Sequence, residues 1–203
     1  MGLLTFKGGI HPNDGKSLAK DKAIVEVLPE GDLVFPLSQH IGAPAAPIVK
    51  VGDQVLKGQK IAEAGGFVSA PVYSSVSGKV KAIAPYFTPT GGKVSSIIIE
   101  NDGTYTEAER LNTRSLDLIT KEEILNLISE AGIVGMGGAG FPTRVKLSPK
   151  EPEKIEYVIA NCAECEPYIT ADYRRMLENP VELVEGMRVI LKLLDNAKGI
   201  IAV

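Results

Sequence analysis

Two loops between Gly135 and Pro167 contain the residue types of this chain that are best suited to hold a ligand. The first loop spans 135–143 and reads GMGGAGFPT, with four glycines in six residues: Gly135, Gly137, Gly138 and Gly140. Glycine permits positive φ and lets main-chain N–H groups come close to an anion. Arg144 and Lys146 follow directly. These features favour an anion-binding loop over a bare glycine-rich turn.

The spacing of these glycines also matches the dinucleotide fingerprint G-x-G-x-x-G. That fingerprint requires a strand before the loop and a helix after it. Here a predicted helix precedes the loop and Phe141-Pro142 follows it, so the context of the fingerprint is missing. Phe141 is interpreted either as a core residue or as a stacking surface for a planar ring.

The second loop, 161–167, reads NCAECEP and follows the apolar run 155–160, which is predicted to be a buried strand. Ligands of open α/β sheets bind beyond the carboxyl ends of the strands. Glu164 and Glu166 are two residues apart, so in extended backbone they point the same way. The alternative is a solvated acidic loop with Asn161 as a turn residue. The two loops together predict a site for a phosphate-bearing cofactor.

The chain has two cysteines, Cys162 and Cys165, in a C-x-x-C arrangement. They could form a redox pair or half of a metal site. A metal or iron–sulfur centre needs further ligands, and the two histidines, His11 and His40, are distant in sequence. A packing role is therefore favoured for the cysteines, and no metal site is predicted within these residues.

Composition excludes several classes of partner. The net charge is −3 and no basic block is present, which argues against nucleic acid binding. No apolar run approaches the roughly 18 residues that a membrane span needs. The N-terminus does not look like a signal peptide, and two cysteines do not make a disulfide scaffold. The expectation is a cytoplasmic protein without a transmembrane segment of its own.

Turn residues and apolar runs divide the chain into four regions. Residues 1–30 are interpreted as an extended arm with a strand-like run at 23–28, and 31–100 as an all-β region. Strands are predicted at 33–37, 48–51, 54–56, 60–64, 71–75, 78–83 and 94–100. Residues 101–119 are polar and predicted to be a linker, and 120–203 are predicted to be α/β.

Helix signals are clearest in the last region. Thr120 and Glu123 form a predicted capping box, and Gly132 is predicted to end that helix. A polar helix is expected at about 169–178, and a second helix begins with Asn179 as cap and Pro180 in its first turn. A strand is expected from residue 200, which suggests that the chain is part of a longer protein.

The all-β region resembles the biotinyl/lipoyl-type flattened β barrel. One half is carried by VKVGDQVLKGQKI at 49–61 and the other by APVYSSVSGKV at 70–80. Such domains carry their prosthetic group on a lysine in the turn between the halves, but no lysine lies between Lys60 and Lys79. The resemblance therefore implies a structural or docking barrel rather than a swinging-arm carrier.

The two ligand loops also resemble a known domain. GMGGAGFPTRVK at 135–146 and NCAECEP at 161–167 resemble the flavin-binding domain shared by the NADH-oxidising subunit of respiratory complex I and the RnfC family of Rnf electron-transport complexes. FKGGIHP at 6–12, LSQHIGAPAAPIVKVGDQVLKGQ at 37–59 and GFVSAPVYSSVSGKV at 66–80 resemble the RnfC branch. The resemblance implies a barrel-sandwich hybrid domain at 31–100, then the first part of an α/β FMN-binding domain at 120–203.

The resemblance also implies roles for individual residues. The four loop glycines would hold the FMN phosphate and ribityl chain, Lys146 would supply positive charge, and Asn161 a hydrogen bond. Glu164 would lie along the isoalloxazine edge. Phe141 and Glu166 match positions that contact the nicotinamide nucleotide. No catalytic side chain is assigned, because hydride passes from NADH to the flavin.

At the level of the whole protein, the resemblance implies an oxidoreductase subunit of an ion-translocating complex, peripheral on the cytoplasmic face of the cell membrane. Its partners would be the other Rnf subunits. Electrons would pass to [4Fe-4S] clusters held beyond residue 203, toward ferredoxin, and this portion alone would be inactive. Three alternatives stay open: a docking module without its own cofactor, an RnfC-like cobalamin or amino-acid reductase subunit, and a thiol redox protein using Cys162 and Cys165.

Overall fold

The computed structural model describes residues 12–89, 91–109, 114–136 and 140–203. They form two compact units. The barrel unit comprises residues 27–152, and the strand–helix unit comprises residues 12–26 together with 153–203. The predicted arm and linker lie partly outside the described residues, at 1–11 and 110–113.

Antiparallel strands form two sheets in the described part of the barrel unit. One sheet has the order β1-β7-β6-β3 and the other the order β2-β4-β5. The strands are β1 (Leu33–Pro36), β2 (Ala46–Pro47), β3 (Gln54–Val55), β4 (Lys60–Glu63), β5 (Val72–Tyr73), β6 (Gly78–Phe87) and β7 (Lys93–Asn101).

A single cluster of apolar side chains fills the space within these strands. Ile61, Ile97 and Ile99 are completely buried, and Val55 and Val80 are nearly so. In β7, Ile97 and Ile99 are two residues apart and therefore share one face of the strand. The barrel-like class expected for this region is confirmed.

Two helices follow in the same unit: α1 (Lys121–Glu130) and the four-residue α2 (Thr143–Lys146). The predicted capping box is present, with the Thr120 hydroxyl accepting from the Glu123 N–H at 3.2 Å and the Glu123 carboxylate accepting from the Thr120 N–H at 2.9 Å. Gly132, at φ +66, ends α1, and the Ile133 N–H returns to the Ile128 carbonyl at 3.3 Å. This is the Schellman arrangement.

The strand–helix unit has two parallel strands joined through two helices. In order they are β8 (Tyr157–Asn161), α3 (Ala171–Glu178), α4 (Pro180–Leu193) and β9 (Lys198–Ala202). Asn179 occupies the N-cap position of α4 without a capping side-chain hydrogen bond. Helix α4 packs on β9, where a Cβ at Gly199 would lie 3.0 Å from Leu191 and 3.1 Å from Met187. Parallel strands joined by helices are the pattern of α/β folds.

Two predicted strands are wrong. Residues 48–50 form no strand and 51–52 form a turn, in which the Asp53 carboxylate accepts the Lys50 N–H at 2.8 Å and Gly52 adopts φ +98. Residues 23–28 form no strand. The Ile24 N–H donates to the Glu178 carboxylate, at 3.1 Å to Oε1, so a side chain satisfies it in place of a neighbouring strand.

Within the described ranges, no helix is long and apolar enough to cross a membrane.

Candidate functional site

The glycine loop is closed at its base by main-chain pairing. Val134 and Pro142 form an antiparallel bridge, the Gly135 N–H donates to the Phe141 carbonyl at 2.9 Å, and the Thr143 N–H donates to the Ile133 carbonyl at 3.0 Å. The N–H of Gly135 is thus used within the loop. Gly137 and Gly138 lie outside the described residues.

Gly140 rests against a loop of the barrel. Its carbonyl accepts the Ile41 N–H at 2.7 Å, and a Cβ at this position would lie 3.1 Å from the Gln39 carbonyl oxygen and 3.3 Å from the His40 Cα. Such a contact is tighter than a side chain normally tolerates. A glycine here allows the two backbones to approach, so this barrel loop supports one end of the glycine loop.

The His40 ring holds that barrel loop in turn. Its Nε2 accepts the Ala70 N–H at 3.0 Å, and its Nδ1 lies 3.2 Å from the Ile41 carbonyl. Nε2 also lies 3.1 Å from the Ala70 carbonyl oxygen. With the proton on Nδ1 the ring donates to Ile41 and accepts from the Ala70 N–H, whereas with the proton on Nε2 it donates to the Ala70 carbonyl. His40 therefore has a definite partner in the 65–70 loop. No sequence signal identified that partner.

Two cations follow the glycine loop on α2. Lys146 is exposed and Arg144 is half-buried. Within the described part of the chain neither side chain has a hydrogen bond or an ion pair, although the Arg144 carbonyl accepts from Ser148. Their charges remain available to an anionic group, and a charge-assisted hydrogen bond contributes about 1.5–3 kcal/mol.

The acidic loop begins at the carboxyl end of β8. The Cys162 N–H donates to the Ala202 carbonyl at 2.8 Å, which extends the pairing of β8 with β9 by one residue. The side-chain oxygen of Asn161 accepts the Ala163 N–H at 3.2 Å, which turns the chain away from the sheet. This location agrees with the general rule that ligands bind beyond strand carboxyl ends.

Glu164 carries the most unusual polar atom of this loop. One carboxylate oxygen, Oε1, accepts the Asp172 N–H in the first turn of α3 at 3.0 Å. The other, Oε2, is buried and has no hydrogen-bond partner among the described residues. A buried acceptor left unsatisfied costs about 1–3 kcal/mol, and more when it is charged. The geometry therefore suits a ligand that brings an N–H or O–H donor to this atom.

A cavity of about 460 Å³ lies beside Glu164 in the strand–helix unit. Cys162, Thr170 and Tyr173 contribute to its lining, and so do Lys16 and Lys20 of the arm. Small-molecule sites generally have about 300–1,000 Å³, mostly apolar walls and a few placed polar groups. The contribution of the arm to this cavity was not foreseen from the sequence.

The other predicted residues divide between the two units. Gly135, Gly140, Phe141 and Lys146 belong to the barrel unit, and Asn161, Glu164 and Glu166 to the strand–helix unit. Phe141 is half-buried, Glu166 is exposed, and the thiols of Cys162 and Cys165 are free. Among the described residues, no group of three or more His, Cys, Asp or Glu could hold a metal ion.

Comparisons with known proteins identify two domains. Residues 4–104 match the RnfC barrel sandwich hybrid domain, and residues 128–203 match the Nuo51 FMN-binding domain. The first match contains the barrel loop beneath Gly140, and the second contains both ligand loops.

Curated relatives align with nearly the entire chain. The C subunit of the proton-translocating ferredoxin:NAD(+) oxidoreductase complex of Clostridium ljungdahlii is 48% identical over 99% of this chain and 44% of its own length. The corresponding subunit of the Na(+)-translocating complex of Acetobacterium woodii is 42% identical over 98% of this chain and 45% of its own length. That of an ion-translocating oxidoreductase complex of Haemophilus influenzae is 37% identical over 99% of this chain and 31% of its own length. The chain thus spans less than half the length of these relatives.

Proposed function

The chain belongs to the RnfC family, and we propose that in the intact subunit it binds FMN and receives hydride from NADH, within an ion-translocating electron-transport complex. The observation that carries the proposal is the buried, unpartnered Oε2 of Glu164 beside a ligand-sized cavity at the carboxyl end of β8. The match of residues 128–203 to an FMN-binding domain supports the same conclusion.

The described residues fit the chemical groups of FMN. The ring system of FMN offers an N–H donor for a carboxylate acceptor such as Glu164 Oε2, and its phosphate is an anion for cations such as Lys146. The side chains of Lys146 and Arg144 have no hydrogen-bond or ion-pair partner among the described residues. A phosphate that binds them would therefore replace water and would not break an ion pair within the protein. The fit therefore rests on one acceptor and two donors that the fold leaves available.

Each residue has a separate task in this proposal. Lys146 neutralises phosphate charge, the glycine loop 135–140 shapes the backbone around the phosphate and ribityl chain, and Asn161 adds a hydrogen bond. Glu164 orients the ring edge, and Phe141 and Glu166 contact the nicotinamide nucleotide. The bound flavin supplies the chemistry, since it takes up two electrons together and releases them one at a time.

The remaining parts of the proposal concern the complex. The electrons pass to iron–sulfur clusters and to ferredoxin chemistry coupled to ion movement, and the partners are other subunits of an Rnf-type complex. The protein lies peripherally on the cytoplasmic face of the membrane. The names of the relatives from Clostridium ljungdahlii and Acetobacterium woodii, which are ferredoxin:NAD(+) oxidoreductase subunits, support this assignment.

Flavin retention by Lys146→Ala in the intact subunit tests the proposal. The expected result is an FMN affinity lower by about 10–150-fold, because a charge-assisted contact of about 1.5–3 kcal/mol is lost. The visible absorption spectrum after desalting measures the flavin that remains. Lys150→Ala is the matched control, since Lys150 is also exposed and follows in the same unit.

Unchanged flavin content in Lys146→Ala would contradict the assignment of that residue. A purified wild-type subunit that takes up no FMN at all would contradict the cofactor proposal itself. That second result would favour a docking module without its own cofactor.

A further inference from the structure

Lys16, in the amino-terminal arm, contacts the acidic loop directly. Its Nζ donates to the Glu166 carbonyl at 3.1 Å and to the Ile169 carbonyl at 2.7 Å. The side chain is half-buried and lines the cavity beside Glu164. A lysine ammonium has three donors, so two main-chain acceptors leave one donor for water or a ligand.

The neighbours of Lys16 reinforce this contact. The Tyr168 N–H donates to the Asp14 carbonyl at 2.5 Å. Gly15 adopts φ +59, and a Cβ there would lie 2.2 Å from the Tyr168 ring, so the arm passes directly against the loop. Tyr168 itself has φ 68, an uncommon value for a residue with a side chain.

The acidic loop has little other support for its backbone. Among the described residues, every main-chain hydrogen bond made by 164–169 goes to Asp14 or Lys16. The carboxylate of Glu164 additionally accepts the Asp172 N–H. Because a loop without internal main-chain bonds is free to adopt many conformations, these arm contacts limit it to one.

We infer that Lys16 is a positioning residue, which holds loop 164–169 in the conformation that presents Glu164 to the cavity. This inference rests on the proposed function for the identity of the ligand, but the loop contacts can be tested without any ligand. Lys16 acts through main-chain carbonyls, so any long side chain with donors can replace it in part.

The alternative is that Lys16 only anchors the arm. The arm has two other anchors within the same unit: the Ile24 N–H donates to the Glu178 carboxylate, and the Arg174 guanidinium donates to the Lys20 carbonyl at 3.1 Å. Loss of Lys16 should therefore weaken the hold of the arm on the loop, leaving only the contact between the Tyr168 N–H and the Asp14 carbonyl, and leave the arm attached near Ile24. Hydrogen exchange distinguishes the two outcomes, because each anchor includes or neighbours an exchangeable amide.

The experiment compares Lys16→Met, Lys16→Arg and the control Lys22→Met in the intact subunit. Lys22 is exposed, and within the described residues its side chain has no partner. Within 164–169 the Tyr168 amide, which donates to the Asp14 carbonyl, is the hydrogen-bonded N–H among the described residues. Without ligand, its exchange is expected to be about tenfold faster in Lys16→Met, with exchange around Ile24 unchanged and Lys22→Met close to wild type. Lys16→Arg is expected to restore most of the protection.

Ligand binding is measured on the same variants. Lys16→Met should weaken FMN binding by about tenfold or more, the magnitude of losing one charge-assisted contact, and Lys16→Arg should recover it. Unchanged exchange at 164–169 in Lys16→Met would overturn the inference. Faster exchange together with unchanged FMN affinity would also overturn it, because the conformation held by Lys16 would then be irrelevant to binding.

Failure of the proposed function has a different signature. In that case the wild-type subunit takes up no FMN, whereas the exchange of 164–169 still responds to Lys16→Met. The two results can therefore be told apart in a single set of samples.

Discussion

Gly42 occupies the barrel loop that supports Gly140, and its replacement by alanine should destabilise the barrel unit. Gly42 has φ +106, and a Cβ there would lie 2.0 Å from the Val68 carbonyl oxygen. Ordinary contact begins at 3.4 Å, so the new methyl group or the Val68 backbone must move by more than an ångström. The opposing atom belongs to the backbone, which cannot rotate away as a side chain would.

Gly52 provides a matched control for this substitution. Its φ is +98, close to that of Gly42, but nothing lies within 4 Å of the position its Cβ would take. Gly52→Ala therefore has only the backbone strain, about 1–3 kcal/mol. Gly42→Ala has the same strain and an overpacking cost of about 1–3 kcal/mol in addition.

Urea unfolding followed by far-ultraviolet circular dichroism measures both variants. With a slope of about 2 kcal/mol/M, the extra cost in Gly42→Ala lowers its midpoint by about 0.5–1.5 M below that of Gly52→Ala. Equal midpoints would refute the close approach of Val68 to Gly42. They would also remove the argument that loop 39–45 is a rigid support for the glycine loop.

Two further predictions concern helix α1 and the arm. Thr120→Ala removes the hydroxyl that caps α1 and should lower the free energy of unfolding by about 1 kcal/mol. Thermal or urea unfolding measures this loss, and Thr120→Ser, which keeps a hydroxyl, should remain close to wild type. The pKa of Glu178 is lowered below 4.5 by the Arg174 guanidinium and then by the Ile24 N–H. Because the folded-state pKa of Glu178 is lowered, the Ile24 contact should be complete above about pH 4.5, the ordinary pKa of the carboxyl group. The contact should be lost as pH falls through the lower folded-state pKa. The protection factor of the Ile24 amide, which is corrected for the intrinsic pH dependence of exchange, should follow that dependence, and Glu178→Gln should abolish it. A protection factor that changes with neither pH nor the substitution would contradict the assignment.

The sequence correctly predicted helix ends that are formed by residues close to one another along the chain. The Thr120 and Glu123 capping box and the Gly132 stop are confirmed, because each is formed by residues within one turn of the helix end. The expected strand at 48–51 failed for a local reason as well: the carboxylate of Asp53 binds the Lys50 N–H and forms a turn instead. The strand was predicted from an apolar run that contains β-branched residues. Such a run gives no sign of a competing side-chain hydrogen bond.

The sequence predicted which residue types form the candidate site. It did not predict which distant residues hold the loops of that site in place. Glu164 could be singled out by its position after a strand, but its buried Oε2 depends on where α3 begins. Lys16 lies 150 residues before Glu166, and no pattern along the chain relates them. Contacts at such separation are products of the tertiary fold, so only the structure could assign them.

The two ligand loops share one structural requirement. Each loop also contacts residues that are distant in sequence: Gly140 lies against Gln39 to Ile41, and loop 164–169 contacts Asp14 and Lys16. Both supports lie within the region that matches the RnfC barrel domain, and both loops lie within the region that matches the FMN-binding domain. The amino-terminal region therefore supports the backbone of the residues proposed to hold the flavin.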